Sequence, residues 1–285
     1  MSKKTLTFCA LSLFLGWFSV SCGRNNTSLE SQKLTLTGSS TVAPLASEIA
    51  KKFETENPGV RIDVQTGGSS RGLADTDRGL ADIGMISRAL KESEIEGFQS
   101  FAIAKDGIGI ILESSNPVPS LTDKQVVDIY TGKIDNWQEI GGKDAPITVV
   151  NKAEGRSTLE LFLKYFQLEN SQIAADVIIG DNQQGIKTVA GNPNAIGYVS
   201  IGAAERDIKA GVPLKLLSVG GIPANTENLQ NGSFPLSRPL TLVTKETPSG
   251  LSKEFIEFAQ SENVSDLVEA QNLVPISSKE LVRVP

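Results

Sequence analysis

The chain has 285 residues, 39% apolar and 21% charged, with 33 acidic against 27 basic side chains and a net charge of −6. That is chain enough for two modest hydrophobic cores, and the negative balance speaks against nucleic acid or an acidic membrane surface as a partner, though not against a small anion held by local donors. With no histidine, Ser-His-Asp and Cys-His catalysis and most zinc chemistry are excluded; the only cysteines, Cys9 and Cys22, fall in the N-terminal leader and leave the folded part without a disulfide.

The first 22 residues predict export. Lys3 and Lys4 open the segment, residues 6–20 are apolar but too short and interrupted to span a bilayer permanently, and small residues precede Cys22. This resembles a bacterial lipoprotein signal with Cys22 as the lipidated residue, although Ser19 stands where such signals usually carry leucine. An ordinary cleaved secretory signal is the alternative. Residues 23–33 are polar and unpatterned and read as a flexible tether. The mature protein is expected in the periplasm or at the cell surface, anchored to the membrane by lipid on Cys22.

The stretch 34–53 organises the rest. Residues 34–37 alternate like a strand and Gly38-Ser39-Ser40-Thr41 turns the chain. Val42, Leu45, Ile49 and Phe53 then recur at helical spacing, with Pro44 in the first turn. A helix start offers unpaired N–H groups and the positive end of the dipole, with hydroxyls beside them, which suits an oxyanion. One such loop alone reads as an ordinary N-cap. The chain repeats the device, however. Residues 60–64 alternate as a strand after the turn Asn57-Pro58-Gly59, and Thr66-Gly67-Gly68-Ser69-Ser70-Arg71-Gly72 leads into a helical run over 73–80. Residues 82–86 read as a third strand, ending in Ser87-Arg88. Ligands of open α/β sheets bind at the C-terminal edge of the strands, so three strands would bring Ser, Thr or Arg to one rim.

Residues 101–113 are strand-like, with Asp106-Gly107 in their middle, and fit a crossing between domains. A helix is predicted from Thr122 to Tyr130, closed by Gly132, and a strand over 147–150. Gly155-Arg156-Ser157-Thr158 then precedes the apolar helical face of Leu159, Phe162, Leu163 and Phe166, a fourth loop of the same kind, in which Arg156 would supply the charge that oxyanions favour. A capped helix with a solvent-facing arginine is the plainer reading of it. Strands over 177–179, 195–200 and 215–219 and a helix over 183–190 continue the α/β alternation. Residues 220–235 read as a Gly/Pro/Asn-rich loop, 239–244 as a strand that returns across, and 253–259 and 264–272 as helices.

Gly38-Ser39-Ser40-Thr41, Gly67-Gly68-Ser69-Ser70, Asp82-Ile83-Gly84-Met85-Ile86-Ser87-Arg88, Tyr130-Thr131-Gly132-Lys133-Ile134-Asp135-Asn136-Trp137 and Ala195-Ile196-Gly197-Tyr198-Val199 stand in the order seen in phosphate-binding proteins of ABC phosphate importers. The resemblance covers residues 34–275. It implies an α/β, two-lobe periplasmic-binding-protein fold of type II, with two crossover strands as the hinge: 34–106 and 241–285 in lobe one, 107–240 in lobe two. It places phosphate ligands on Thr41 and the backbone of Val42, on Ser69, on Ser87, and on Ser157 and Thr158. Ser40, Ser70, Arg88 and Arg156 complete the candidate set, with the choice among Arg71, Arg88, Lys152 and Arg156 left open. The chain departs from the family pattern at Arg156-Ser157-Thr158, where the family often has Ser-Gly-Thr, at Lys152, where an arginine is usual, and at Ser87, where better-studied members carry an aspartate.

The function implied is capture without chemistry: inorganic phosphate held in the cleft by donors from both lobes, then delivered to the permease of an ABC importer by a monomeric protein that needs no cofactor or metal. Serine at position 87 would reject sulfate less firmly than a carboxylate would. A carrier of sulfate, molybdate or tungstate is therefore an alternative, as is a secreted phosphatase-like or adhesion protein. Against catalysis, no P-loop and no Gly-x-Ser-x-Gly elbow occurs, and Asp75, Asp77 and Asp82 are spaced as a solvated face.

Overall fold

The computed structural model describes residues 32–276. Cys9, Cys22 and all but the end of the tether therefore lie outside the described residues. In chain order the elements are β1 (Gln32–Gly38), α1 (Ala43–Glu56), β2 (Val60–Thr66), α2 (Ser69–Asp77), β3 (Ile83–Ile86), α3 (Glu92–Ile95) and β4 (Gln99–Glu113). Next come α4 (Asp123–Tyr130), β5 (Thr148–Lys152), α5 (Ser157–Phe166), β6 (Val177–Ile179), α6 (Asn182–Ala190), β7 (Ala195–Ser200), α7 (Ile201–Lys209), β8 (Leu214–Leu217) and α8 (Thr226–Gln230). The chain closes with β9 (Ser237–Thr244), α9 (Gly250–Ala259) and α10 (Ser265–Ala270).

Among the described residues the strands form one curled sheet in the order β2-β1-β3-β9-β4-β7-β5-β6, with β8 beside β4. At one end β1 runs parallel to β2 and β3, in a register that aligns Gly38 with Thr66 and Met85. At the other, β5 runs parallel to β6 and β7, with Lys152 opposite Ile179. Each parallel set therefore ends its strands along one edge, and the two edges carry the loops of interest.

Apolar spacing explains the two lobes. Leu45, Ile49 and Phe53 of α1 bury against Leu34, Leu36, Ile83 and Met85 of the first sheet end and against Phe255 and Ile256 of α9. Phe162 of α5 stacks on Tyr198 of β7 with ring centroids 4.0 Å apart, in a second core with Tyr130, Trp137 and Leu159. β4 and β9 are antiparallel and run side by side between the two cores. On β4 the side chains change from the first core at Ile103 and Ala104 to the second at Ile108 and Ile110; Leu236, just before β9, joins the second and Leu240, within it, the first. Pro239 sits in this central strand without an N–H to give. Opposite it, Lys105 exchanges main-chain bonds with Val274 instead, at 2.8 and 3.0 Å.

Several elements differ from the sequence reading. α2 begins at Ser69 rather than four residues later, because Gly68 adopts a positive φ of 99° and turns the chain at once. α7 was not foreseen, although Ser200 caps it by accepting from the Ala203 N–H at 3.2 Å. Inside the loop 220–235, Asn225 caps the short α8. β9 starts at Ser237, two residues earlier than expected, and so takes in Arg238.

Candidate functional site

The edges of the two parallel sets face one another across a small hollow of about 10 Å³. Ser39, Ser40, Thr41, Gly68, Ser69 and Ser87 line it from lobe one; Lys152, Arg156, Ser157, Thr158, Gly180 and Asn182 line it from lobe two. A hollow of that size is far smaller than pockets for drug-sized ligands, so it suits a small ion rather than a larger organic solute.

Helix starts frame it unequally. At α1, Ser39 Oγ accepts from the Thr41 N–H at 3.1 Å and from the Val42 N–H at 3.4 Å. Those amides already have a partner, and Val42 is wholly buried in the core. α6 is capped by Asp181, whose Oδ1 accepts from the Gln184 N–H at 2.8 Å. No side chain caps α2 or α5. Their first residues, Ser69 and Ser157, line the hollow, and the Ser157 hydroxyl is buried with no hydrogen-bond partner. Apart from the Ser70 N–H, which is donated to the Gly155 carbonyl, the first amides of these two helices, one per lobe, take no side-chain cap and remain for a ligand.

Beneath the hydroxyls lies Arg238, which the sequence reading missed. Its Nη2 is 2.9 Å from Asp106 Oδ2 on the other crossing strand, and both side chains are fully buried. Its Nη1 donates to Thr158 Oγ1 at 2.9 Å and approaches Ser87 Oγ at 3.5 Å; Nη2 also reaches Thr41 Oγ1 at 3.4 Å. The Asn182 amide donates to the same Thr41 oxygen at 3.1 Å. A hydroxyl that accepts from nitrogen must turn its own proton elsewhere. Arg238 and Asn182 therefore leave Thr41 and Thr158 as donors to whatever the hollow holds. A buried aspartate in an apolar strand requires a cation, and Asp106 is the one signal in the sequence that could have led to Arg238.

Of the sequence-predicted set, Ser40, Thr41, Ser69, Ser87, Arg156, Ser157 and Thr158 meet around the hollow. Three do not. Val42 is turned to Ser39. Ser70 is exposed, and its N–H donates to the Gly155 carbonyl at 3.2 Å across the lobes. Arg88 is buried, but its guanidinium bonds both Glu94 oxygens, at 2.7 and 2.9 Å, and pairs with Glu160 of the opposite lobe at 3.1 Å. Lys91 joins Glu160 at 3.0 Å. Burial would raise the Glu94 carboxyl, but its bonds from Arg88 and the Lys91 amide, with the charges of both residues, hold it below the usual range. Of the other candidates, Arg71 is exposed and paired with Asp75 within its own helix.

Arg156 and Lys152 are the cations that line the hollow, and neither makes an ion pair among the described residues. Arg156 spans it, with Cδ against Gly68 and Nη2 against Gly180, so close that a β-carbon would come within 3.0 and 3.2 Å. Lys152 is 3% exposed, and its Nζ donates to the Asp181 carbonyl at 2.9 Å and to Asn182 Oδ1 at 3.2 Å. Burial, with help from the charges of Arg238 and Arg156 and against that of Asp181, lowers its pKa from 10.5 to about 7. No aspartate or glutamate lines the hollow.

A family model described as "PBP superfamily domain" matches residues 25–263. A phosphate ABC transporter substrate-binding protein from Clostridium perfringens, with bound phosphate in its crystal structure, is 36% identical with a TM-score of 0.80, over 86% of this chain and 100% of that one. The chain belongs to the phosphate-binding proteins of the PBP superfamily. The phosphate-binding protein PstS of Bacillus subtilis (strain 168) is 29% identical, over 99% of this chain and 98% of that protein. An ABC-type phosphate transport receptor from Vibrio cholerae is 29% identical with a TM-score of 0.68, over 86% of this chain and 100% of its own. These relatives are named as binding proteins and transport receptors rather than enzymes. Among the described residues no helix is long and apolar enough to cross a membrane, and no group of His, Cys, Asp or Glu suits a metal ion.

Proposed function

We propose that this protein captures inorganic phosphate in the hollow between its lobes and delivers it to the membrane permease of an ABC importer. The observation that carries the reading is the pairing of two uncapped helix starts, one from each lobe, around a hollow lined by hydroxyls and by the unpaired cations Arg156 and Lys152. Donors on both sides of one ion make closure and binding a single event, since only the closed arrangement satisfies both sets. The changes of core along β4 and β9 are where the hinge bends, dividing the chain into 34–106 with 241–285 and 107–240.

The protein carries out no chemistry on its ligand: the lining offers donors and cations but no carboxylate or imidazole to act as a base. It works as a monomer outside the cytoplasm, tethered by lipid on Cys22 close to the permease. Calorimetric titration of the leaderless protein with phosphate, arsenate, sulfate and molybdate in parallel tests the reading. Saturable one-to-one binding of phosphate, tighter than that of sulfate or molybdate and without turnover of phosphate esters, is expected. Preference for sulfate or molybdate over phosphate would overturn it.

A further inference from the structure

Lys152 is an unusual residue to enclose beside an anion. It stands at the C-terminal end of β5, is nearly inaccessible, and finds only a carbonyl and an amide oxygen for its Nζ. The charged groups around it are few. Asp181, on the α6 side, is its nearest carboxylate influence and is engaged with the Gln184 N–H. Arg156 from the start of α5 and Arg238 from β9 are both positive. From β7, the Tyr198 phenol oxygen accepts the Lys152 main-chain N–H at 3.3 Å, and burial keeps that phenol protonated. Without an anion nearby, the physical preference of such an amine is to be uncharged, and its pKa of about 7 expresses this.

The rest of the hollow shows what the ligand must look like. Thr41 and Thr158 are held as donors, the Ser157 hydroxyl is unpartnered, and Asn182 Oδ1 already accepts from Lys152 and from the Ser200 N–H. The second proton of a singly charged H2PO4⁻ would find no carboxylate to accept it. Arg238 contributes little net charge, because Asp106 neutralises it. Arg156 alone supplies one uncompensated charge.

Resting on the phosphate reading above, we propose that the ligand enters as the doubly charged anion and that Lys152 takes up one proton from the medium as it binds. The balance is simple. The Nζ lone pair accepts a proton from solvent or buffer, HPO4²⁻ docks beside the resulting ammonium, and no bond to phosphorus is made or broken. The second ligand charge is met by protonating the protein, rather than by a carboxylate that shares a proton of the ligand.

The experiment is ¹³C NMR of the lysine ε-carbons from pH 6 to pH 9, with and without saturating phosphate, on the wild type and on Lys152→Arg. One lysine is expected to titrate near pH 7 without phosphate, to remain charged across the whole range with phosphate, and to vanish from the spectrum of the variant. Calorimetry of phosphate binding at pH 8 in two buffers of different ionisation heat gives the stoichiometry. A lysine of pKa about 7 that becomes fully charged takes up roughly nine-tenths of a proton there, in excess of whatever Lys152→Arg takes up. If no lysine titrates below about pH 9 in the phosphate-free protein, or if wild type and variant bind phosphate with equal proton uptake, the inference falls while the phosphate reading stands. If the wild type does not bind phosphate at all, both fall.

Discussion

Arg88 and Arg238 both lie where the lobes meet, both are nearly inaccessible, and both are paired with acid. Their partners set them apart. Arg238 has one carboxylate, Asp106, and spends its remaining N–H groups on hydroxyls of both lobes. Arg88 has two carboxylates, Glu94 on its own lobe and Glu160 on the other, and is not among the residues that line the hollow. The first arginine orients hydroxyls that line the hollow. The second fastens the lobes at the rim. What decides between these roles is the charge around each guanidinium, not its place along a strand: Arg88 follows the C-terminal edge of β3, where a ligand contact is expected, and Arg238 sits near the start of β9, where it is not.

The largest effect expected from this contrast is at Arg238. Arg238→Met should weaken phosphate binding on the order of 100-fold, and should also cost about 3–5 kcal/mol of stability because Asp106 is left buried and unpaired. Adding Asp106→Asn should recover most of the stability in urea unfolding and none of the binding in calorimetry. Recovery of both would mean that Arg238 merely holds the hinge together. A smaller effect is expected at the rim. Glu160 is partly exposed, so Glu160→Gln should cost roughly 0.5–1 kcal/mol of closure. It should appear as a two- to fivefold faster dissociation of phosphate in stopped flow, with the association rate little changed. An unchanged dissociation rate would mean that the rim pair does not contribute to closure.

The smallest effect distinguishes the two networks by pH. The Glu94 carboxyl is held below its ordinary value, so its contribution to stability is present above the unfolded carboxylate pKa and is lost as pH falls through the folded one. Thermal melts between pH 6 and pH 3 should therefore decline more steeply for the wild type than for Glu94→Gln. Equal slopes would show that the Arg88 pair carries no pH-dependent stability.

Much of this was legible in local sequence. The alternation before Gly38 and the spacing of Leu45, Ile49 and Phe53 gave the first strand and helix, because a helix buries one face whatever packs on it. Gly38-Ser39-Ser40-Thr41 and Arg156-Ser157-Thr158 marked two walls of the hollow through helix-start chemistry. Which helix starts were free was not legible. Ser39 occupies the amides of α1, whereas no side chain caps α2, and only three-dimensional placement shows it. Arg238 was missed for a related reason: its partners Thr158, Asp106 and Thr41 lie 80, 132 and 197 residues away, and nothing local marks it. Arg88 was misread because its neighbours in sequence hide Glu160, which comes from the other lobe.

The uncapped starts of α2 and α5 have one more consequence. An anion in the hollow would serve as the missing cap of two helices that belong to different halves of the molecule. Cohesion of the halves and occupancy are therefore the same equilibrium, viewed from opposite sides. Scarcity of the ion outside the cell would loosen the carrier itself, and each captured ion would make its carrier harder to unfold or digest until the permease reclaims it.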